Sequence, residues 1–142
     1  YTGPIDSFFE YKHGELPYRS LKFEHRTYDS FPYQKVAQVN YPNNYDFTRI
    51  TEFGHLNEQT DGKTTIAVEH PQPHINGETE PYYPIPKDEY QERYQLYKEE
   101  TKKLVGKVFF AGRLADYKYY NMDQVVARAL NIYKSEIIPS II

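Results

Sequence analysis

Alternation of apolar and polar residues in the first half of the chain predicts β-strands. In residues 18–29, Leu21 and Phe23 fall on one face and charged residues fill the positions beside them. Three further segments are also predicted to be strands, residues 35–41, 47–56 and 64–70. An Asp-Gly pair at 61–62 is typical of a tight turn between the last two. Four strands with short connections predict an antiparallel sheet.

A period of 3.6 residues in the second half of the chain predicts two helices. The first, about residues 87–104, would carry these side chains on one face: Tyr90, Tyr94, Tyr97, Thr101 and Leu104. The second, about residues 121–138, would carry an apolar stripe: Met122, Val125, Val126, Ala129, Leu130, Tyr133 and Ile137. Asn121 stands at the expected N-cap of the second helix, a position that asparagine favours.

Three shorter segments complete the predicted elements. Asp6 or Ser7 would cap a brief helical turn in residues 7–12. Five prolines in residues 71–86 predict a loop, because proline cannot donate a backbone hydrogen bond. Residues 107–112, KVFFAG, are predicted to form a short buried strand. The elements together predict the α+β class, mainly antiparallel β-sheet with two longer helices.

The composition excludes several classes of protein. The 142 residues suit one domain with a core of its own. A net charge of −3 provides no strongly basic surface, so we predict no nucleic-acid partner. The absence of cysteine rules out disulfides and thiolate metal sites. No apolar run approaches the ~20 residues that a membrane helix needs, so we predict no membrane partner.

The sequence lacks the common catalytic and nucleotide-binding motifs. It has no Ser/His/Asp arrangement, no Walker loop and no glycine-rich dinucleotide fingerprint. His70 and His74 lie four residues apart, but Pro71 and Pro73 prevent the helix that would bring them to one face. We therefore predict no metal site.

Two short stretches carry residues that could bind a ligand. Arg49 follows a loop at a strand start, where its side chain could reach over a cleft or remain an ordinary surface charge. Tyr82 and Tyr83 are held between prolines in PYYP. Rigid phenols suit ligand recognition, but they suit packing on a core equally well. The residues alone leave these alternatives open.

Residues 112–125, GRLADYKYYNMDQV, combine a cation and several phenols with a predicted helix start. A strand that leads into a helix presents backbone N–H groups and a partial positive charge at the junction, where anions are stabilised. Arg113 and the tyrosines would strengthen such a site. Ordinary aromatic packing is the alternative, since the chain has 16 tyrosines to accommodate.

Five stretches of the chain resemble the C-terminal portion of the UDP-galactopyranose mutase family. They are YTGPID, LPYRSLKFE, TRITEFGH, EPYYPIP and GRLADYKYYNMDQV. They occur in the family's order and cover nearly the whole chain, and residues 57–79 are its least family-like part.

The resemblance implies an isomerase that interconverts UDP-galactopyranose and UDP-galactofuranose with reduced FAD. In that family, the flavin N5 is understood to attack the anomeric carbon, release UDP and hold the sugar while its ring opens and recloses. The implied setting is the cytoplasm and cell-surface polysaccharide biosynthesis. The implied partner is UDP-galactose in its two ring forms, and a homodimer is left open.

The resemblance also implies a division of the chain. Residues about 16–86 would belong to a sheet domain, and residues about 107–138 would be the strand and helix that return to the FAD-binding domain. The family's glycine-rich fingerprint and helical domain have no counterpart here, and the chain opens on Tyr1 rather than methionine. We therefore expect a fragment that is inactive alone and binds FAD only with the N-terminal region. The alternative is a free-standing nucleotide-sugar or glycan-binding module without catalysis.

The family's substrate residues can be carried over by position. Arg49 matches the arginine that engages the diphosphate and is needed for turnover. Tyr83 and Tyr119 match two tyrosines on the diphosphate. Asn40 falls near a family asparagine at the substrate, although the loop from it to Arg49 is one residue shorter.

The cofactor residues lie together in one segment. The resemblance assigns to FAD binding Arg113, Tyr120, Asn121, Met122, Asp123, Gln124 and Val125. Asn121 stands where the family commonly has aspartate, so the helix start loses a negative charge.

Overall fold

The computed structural model describes residues 1–57 and 61–141. Within them lies a five-stranded antiparallel sheet in the order β2-β3-β4-β1-β5. Its strands are β1 Tyr18–Tyr28, β2 Gln38–Asn40, β3 Arg49–Glu52, β4 Thr64–Pro73 and β5 Tyr83–Pro84. The predicted antiparallel sheet and α+β class are therefore confirmed.

Both long helices predicted from the 3.6-residue period are present. The helices are α1 Ile5–Phe8, α2 Gly54–Asn57, α3 Asp88–Thr101, α4 Met122–Ile132 and α5 Ile138–Ile141. A 3-10 turn, Lys102–Leu104, extends α3, and a π-helical segment, Tyr133–Ile137, joins α4 to α5. Asn121 is the N-cap of α4, as predicted. No helix in the described part of the chain is both long and apolar enough to cross a membrane.

The chain divides into two compact units. We call Tyr1–Arg19 with His74–Ile142 the helical unit, and Ser20–Pro73 the sheet unit. The core of the helical unit consists of Ile5, Leu16, Tyr18, Tyr97 and Tyr117. Tyr90 and Tyr94 pack against that core, which confirms the inward face predicted for α3.

The sheet unit has a smaller core that supports β3. Ile50, Ile66 and Val68 are buried there. Glu52, at the end of β3, is fully buried, and its carboxylate accepts the backbone N–H groups of Tyr33 at 2.8 Å and Gln34 at 2.9 Å. Burial opposes ionisation of Glu52, but these donors outweigh it and lower its pKa.

The N-terminal helical turn differs in its cap from the prediction. α1 begins at Ile5 after Pro4, so neither Asp6 nor Ser7 is the N-cap. Asp6 is instead buried, and its Oδ2 accepts the backbone N–H of Leu16 at 2.7 Å. Burial raises the pKa of Asp6 despite this hydrogen bond.

The predicted strand over residues 47–56 is too long. β3 ends at Glu52, and Gly54 begins the helical turn α2. A Cβ atom at Gly54 would lie 2.7 Å from the Phe31 ring, so this close approach requires glycine. β2 is likewise shorter than the predicted 35–41. The tight turn predicted in residues 59–64, around the Asp-Gly pair, falls partly on residues 59 and 60, which lie outside the described residues.

The loop predicted for residues 71–86 contains strand residues at both ends. β4 continues to Pro73, and β5 lies at Tyr83–Pro84. Pairing of β4 with β3 ends at Glu69, whose backbone carbonyl accepts the Thr48 N–H. Pro71 and Pro73 face the same side of β4 as this carbonyl, beyond the last paired residue. Their missing N–H groups therefore cost no bond to β3.

Residues 107–112 were predicted to form a strand, and this prediction is wrong for the described structure. The segment starts in a turn, ends in a bend at Gly112 and is not part of the sheet. The Ala111 N–H donates to the Tyr1 carbonyl at 3.1 Å, and the Tyr1 amino group donates to the Phe109 carbonyl at 2.8 Å. One paired residue does not make a ladder, which explains the missing strand.

The predicted apolar stripe of α4 is mostly exposed within the described residues. Met122 is 81% exposed and Val126 57% exposed, whereas Ile132, outside the predicted stripe, is buried. The periodicity therefore located the helix correctly, but the face that packs within this chain is a different one.

Candidate functional site

The helical unit brings together three of the predicted site residues. Tyr83 lies on β5, where it pairs with Arg19 of β1, and Tyr119 lies in the loop before α4. Their ring centroids are 5.8 Å apart. The guanidinium carbon of Arg113 lies 5.2 Å from the Tyr83 ring centroid and 5.0 Å from that of Tyr119. Two phenols and one cation thus form a single cluster.

The loop that carries Tyr119 is held by a buried neighbour. Gly112 has φ 100° and Tyr117 has φ 45°, and these left-handed residues turn the chain at the start of the loop and again just before Tyr119. Tyr117 is buried, and its hydroxyl donates to the Pro17 carbonyl at 2.7 Å. Burial raises the pKa of Tyr117 to about 12, so it remains a neutral donor. Tyr119, two residues later, is 58% exposed and available to a ligand.

An ion pair also ties this loop to α4. The Arg128 side chain donates to both carboxylate oxygens of Asp116, at 3.2 Å and 3.1 Å. The same carboxylate accepts the backbone N–H of Gly112 at 3.2 Å. A two-pronged pair fixes direction as well as distance, so it orients the loop relative to the helix.

Arg113 itself is anchored to the backbone. Its Nε donates to the Tyr120 carbonyl at 2.7 Å. The Lys118 N–H donates to the Arg113 carbonyl at 3.0 Å, which closes the loop beneath the side chain. Arg113 therefore has fixed backbone partners, while its guanidinium carbon lies 5.2 Å and 5.0 Å from the centroids of the two phenol rings.

The first turn of α4 provides the positive end of a helix dipole beside this cluster. Met122 and Asp123 supply the first helical N–H groups, which have no acceptor within a helix. The Asn121 N–H is already used, because it donates to Gln124 Oε1 at 2.9 Å. Asp123 adds a negative charge that partly offsets the dipole for an incoming anion.

The sheet unit brings together the other two predicted substrate residues. Asn40 and Arg49 are direct partners across β2 and β3, and Arg49 Nε donates to Asn40 Oδ1 at 3.0 Å. A second contact joins an Arg49 terminal nitrogen to the Glu69 carboxylate at 3.5 Å. The Arg49 side chain remains 39% exposed.

Sequence reasoning missed Glu69. Arg49 and Glu69 are cross-strand partners of β3 and β4. The Asp-Gly pair does not give this register, because a two-residue turn at 61–62 would place His74 opposite Arg49. The sequence also gave no indication that Arg113 contacts both tyrosines, since that contact depends on the fold of the loop.

Known proteins match this chain along most of its length. The sequence profile of the family described as UDP-galactopyranose mutase matches residues 1–119. A probable UDP-galactopyranose mutase of Klebsiella pneumoniae is 34% identical over 134 residues, which cover 92% of this chain and 34% of that protein. A UDP-galactopyranose mutase of Mycoplasma genitalium is 33% identical over 144 residues, 96% of this chain and 34% of that protein. A dTDP-fucopyranose mutase of Escherichia coli is 28% identical over 131 residues, 92% of this chain and 34% of that protein.

These matches identify the family, but they cover only part of each relative. The chain spans about a third of the length of the curated relatives it matches, 34% in each case. The profile match includes Arg49, Tyr83, Arg113 and Tyr119, and it stops before α4. With more than half of its residues matched by the profile, this chain belongs to the UDP-galactopyranose mutase family.

Proposed function

We propose that this chain is the C-terminal part of a FAD-dependent UDP-galactopyranose mutase and supplies its diphosphate clamp and part of its flavin site. The observation that carries the proposal is the cluster of Tyr83, Tyr119 and Arg113 beside the first turn of α4. Phenols, a guanidinium and a helix N-terminus are all groups that stabilise phosphate. The names of the relatives support a nucleotide sugar as the phosphate's source.

The two tyrosines would donate hydrogen bonds to the diphosphate of UDP-galactose. A phenol hydroxyl donates without adding a full charge. As the bond from the anomeric carbon to oxygen breaks, the departing UDP gains negative charge. Donors directed at those oxygens therefore stabilise the transition state as well as the bound substrate.

Arg49, by its match to the family's arginine, would engage the diphosphate through its positive charge. A guanidinium has five N–H donors. In the described part of the chain, Asn40 accepts from Nε, and Glu69 lies near one terminal nitrogen. The remaining donors can serve phosphate, and Asn40 holds the guanidinium in one orientation for that contact.

The segment assigned to FAD suits an anionic group but covers little of so large a cofactor. Arg113 and the first turn of α4 would hold a negatively charged part of it through charge and backbone N–H groups. The Gln124 side chain caps Asn121, so we assign it to the geometry of the segment rather than to direct contact. Reduced FAD, when bound, would supply the nucleophile for the anomeric carbon, while these residues bind and orient.

The exposed stripe of α4 supports the assignment of residues about 107–138 to a larger flavin-binding domain. In the helical unit an apolar groove of about 420 Å³ lies between residues 107–111 and the helical residues from α4 to Ile137. The groove is lined by Tyr1, Lys107, Val108, Phe109, Ala111, Ala129, Ile132 and Ile137. Together, a segment with one backbone partner and a helix with an exposed apolar face leave apolar surface that further elements of a flavin-binding domain would cover.

Conversion of UDP-galactofuranose to UDP-galactopyranose tests the proposal. The whole protein that contains this chain is assayed with dithionite-reduced FAD, and nucleotide sugars are separated by chromatography. We expect turnover with reduced FAD and none from residues 1–142 alone. A whole protein that binds UDP without turnover would instead support the binding-module alternative. Parallel assays with dTDP-fucopyranose would show whether the substrate is that of the Escherichia coli relative.

A further inference from the structure

Arg113 makes contacts that cofactor binding alone does not require. Its guanidinium lies over the Tyr83 ring and the Tyr119 ring at nearly equal distances, 5.2 Å and 5.0 Å. The two rings come from parts of the chain that lie far apart in sequence, β5 and the loop before α4. A single side chain therefore links the two phenols that we assign to the diphosphate.

The chemistry of this contact is directional. The face of an aromatic ring attracts a cation, and a planar guanidinium can lie against ring faces in a way that a lysine ammonium cannot. The hydrogen bond from Arg113 Nε to the Tyr120 carbonyl fixes where the guanidinium lies. A fixed cation holds both rings at fixed angles, and this matters most for Tyr119, which is 58% exposed.

We propose that Arg113 is a positioning residue that orients Tyr83 and Tyr119 as a pair of hydrogen-bond donors to a nucleotide diphosphate. This inference rests on the proposed function, because it needs the tyrosines to bind that group. It also predicts that Arg113 affects UDP binding through the phenols, whether or not the guanidinium touches a cofactor.

A double-mutant cycle on the whole protein tests the inference. Variants Arg113→Gln, Tyr119→Phe and the double mutant are titrated with UDP by calorimetry, with FAD occupancy read from visible absorbance. Tyr119→Phe should weaken UDP binding about ten- to a hundredfold in the wild-type background. Arg113→Gln should weaken it about five- to thirtyfold, from the loss of two cation–ring contacts.

The decisive quantity is the coupling between the two changes. If Arg113 positions the phenol, the Tyr119 hydroxyl is already misplaced in Arg113→Gln, and its removal should then cost less than about threefold. Arg113→Lys should restore only part of the loss, because a point charge does not lie flat against two rings. A purely structural role would lower thermal stability without this coupling, so melting temperatures are recorded on the same samples.

Lys118→Gln is the matched control. Lys118 is a cation in the same loop, but its ammonium lies 5.4 Å from the Tyr120 ring centroid. Its removal should change UDP affinity by less than about threefold and leave the Tyr119→Phe effect intact. If Lys118→Gln were coupled to Tyr119→Phe as strongly as Arg113→Gln is, the coupling would arise from loss of any nearby positive charge. That result would overturn the specific role of Arg113.

The outcomes separate this inference from the proposed function. Additive effects of Arg113→Gln and Tyr119→Phe would overturn the positioning role and leave the diphosphate clamp standing. A wild-type protein that does not bind UDP, or a Tyr119→Phe variant that binds it normally, would overturn the proposed function and the inference with it.

Discussion

Arg49 of the sheet unit and Arg113 of the helical unit have the same side chain in opposite surroundings. Arg49 contacts an amide and a carboxylate, whereas Arg113 contacts two ring faces and a backbone carbonyl. The carboxylate of Glu69 partly neutralises Arg49, but the rings and carbonyl leave the full charge of Arg113 in place. In the proposed function, polar neighbours orient Arg49 as a hydrogen-bond donor, whereas Arg113 orients other donors.

The largest expected effect is the loss of turnover when Arg49 is removed. Arg49→Ala in the whole protein should cut turnover by two to three orders of magnitude, about 3–4 kcal/mol, because a charged donor at developing negative charge is lost. Arg49→Lys should recover little, since an ammonium cannot both hold Asn40 and present a planar pair of donors. Steady-state rates check this, and a lysine variant near the wild-type rate would contradict the donor role.

Removal of the Tyr119 hydroxyl should have the next largest effect on ligand binding. Tyr119→Phe keeps the ring against Arg113 and loses one hydrogen bond to a charged phosphate, worth about 1.5–3 kcal/mol. UDP affinity should fall about ten- to a hundredfold while FAD content is unchanged. If the tyrosine served only packing, phenylalanine would bind UDP normally.

Glu52 provides a test of the framework that carries Arg49. Glu52→Gln should destabilise the protein by about 1–3 kcal/mol in chemical denaturation, because two buried N–H donors lose their charged acceptor. The pKa of Glu52 is lowered on folding, so its stabilisation is complete above its unfolded value of ~4.3 and is lost as pH falls through the folded value. Wild type should therefore lose its advantage over Glu52→Gln in acid.

The corresponding control is Glu24→Gln, on an exposed carboxylate of the same unit. Its effect on unfolding at neutral pH should be much smaller than that of Glu52→Gln, because solvent screens an exposed ion pair. An equal loss for the two variants would show that the buried position of Glu52 has no special importance.

The smallest expected effect is a change in UDP affinity when the acidic neighbour of Arg49, which Arg113 lacks, is neutralised. Glu69→Gln removes the carboxylate that offsets Arg49, and UDP affinity should rise by about 1.5- to fivefold. The gain should shrink at high salt, which screens the same interaction. Weaker binding in this variant would mean that Glu69 orients Arg49 more than it neutralises it.

Periodic patterns predicted the long elements because such patterns depend on local geometry. α3 and α4 begin within one residue of the predicted positions, and Asn121 caps the second. The length of β4 could not be predicted in this way. Whether Pro71 and Pro73 end a strand depends on what lies on the side of their missing N–H groups, and local sequence does not specify that side.

Resemblance to the family identified candidate residues without their contacts. Tyr83 came from a different motif than Arg113 and Tyr119, and Arg113 had a different expected role than the two tyrosines; the structure shows that all three lie together. The contact depends on the left-handed Tyr117 and on its buried hydroxyl, which direct the loop towards β5. Neither feature has a signature in the sequence.

Catalytic interconversion of the two ring forms of UDP-galactose tests the central claim most directly. The whole protein containing this chain, supplied with reduced FAD, should convert UDP-galactofuranose to UDP-galactopyranose, and Tyr119→Phe should do so with weaker substrate binding. A whole protein that retains FAD and binds UDP but leaves UDP-galactofuranose unchanged would contradict the assignment of this chain to a mutase.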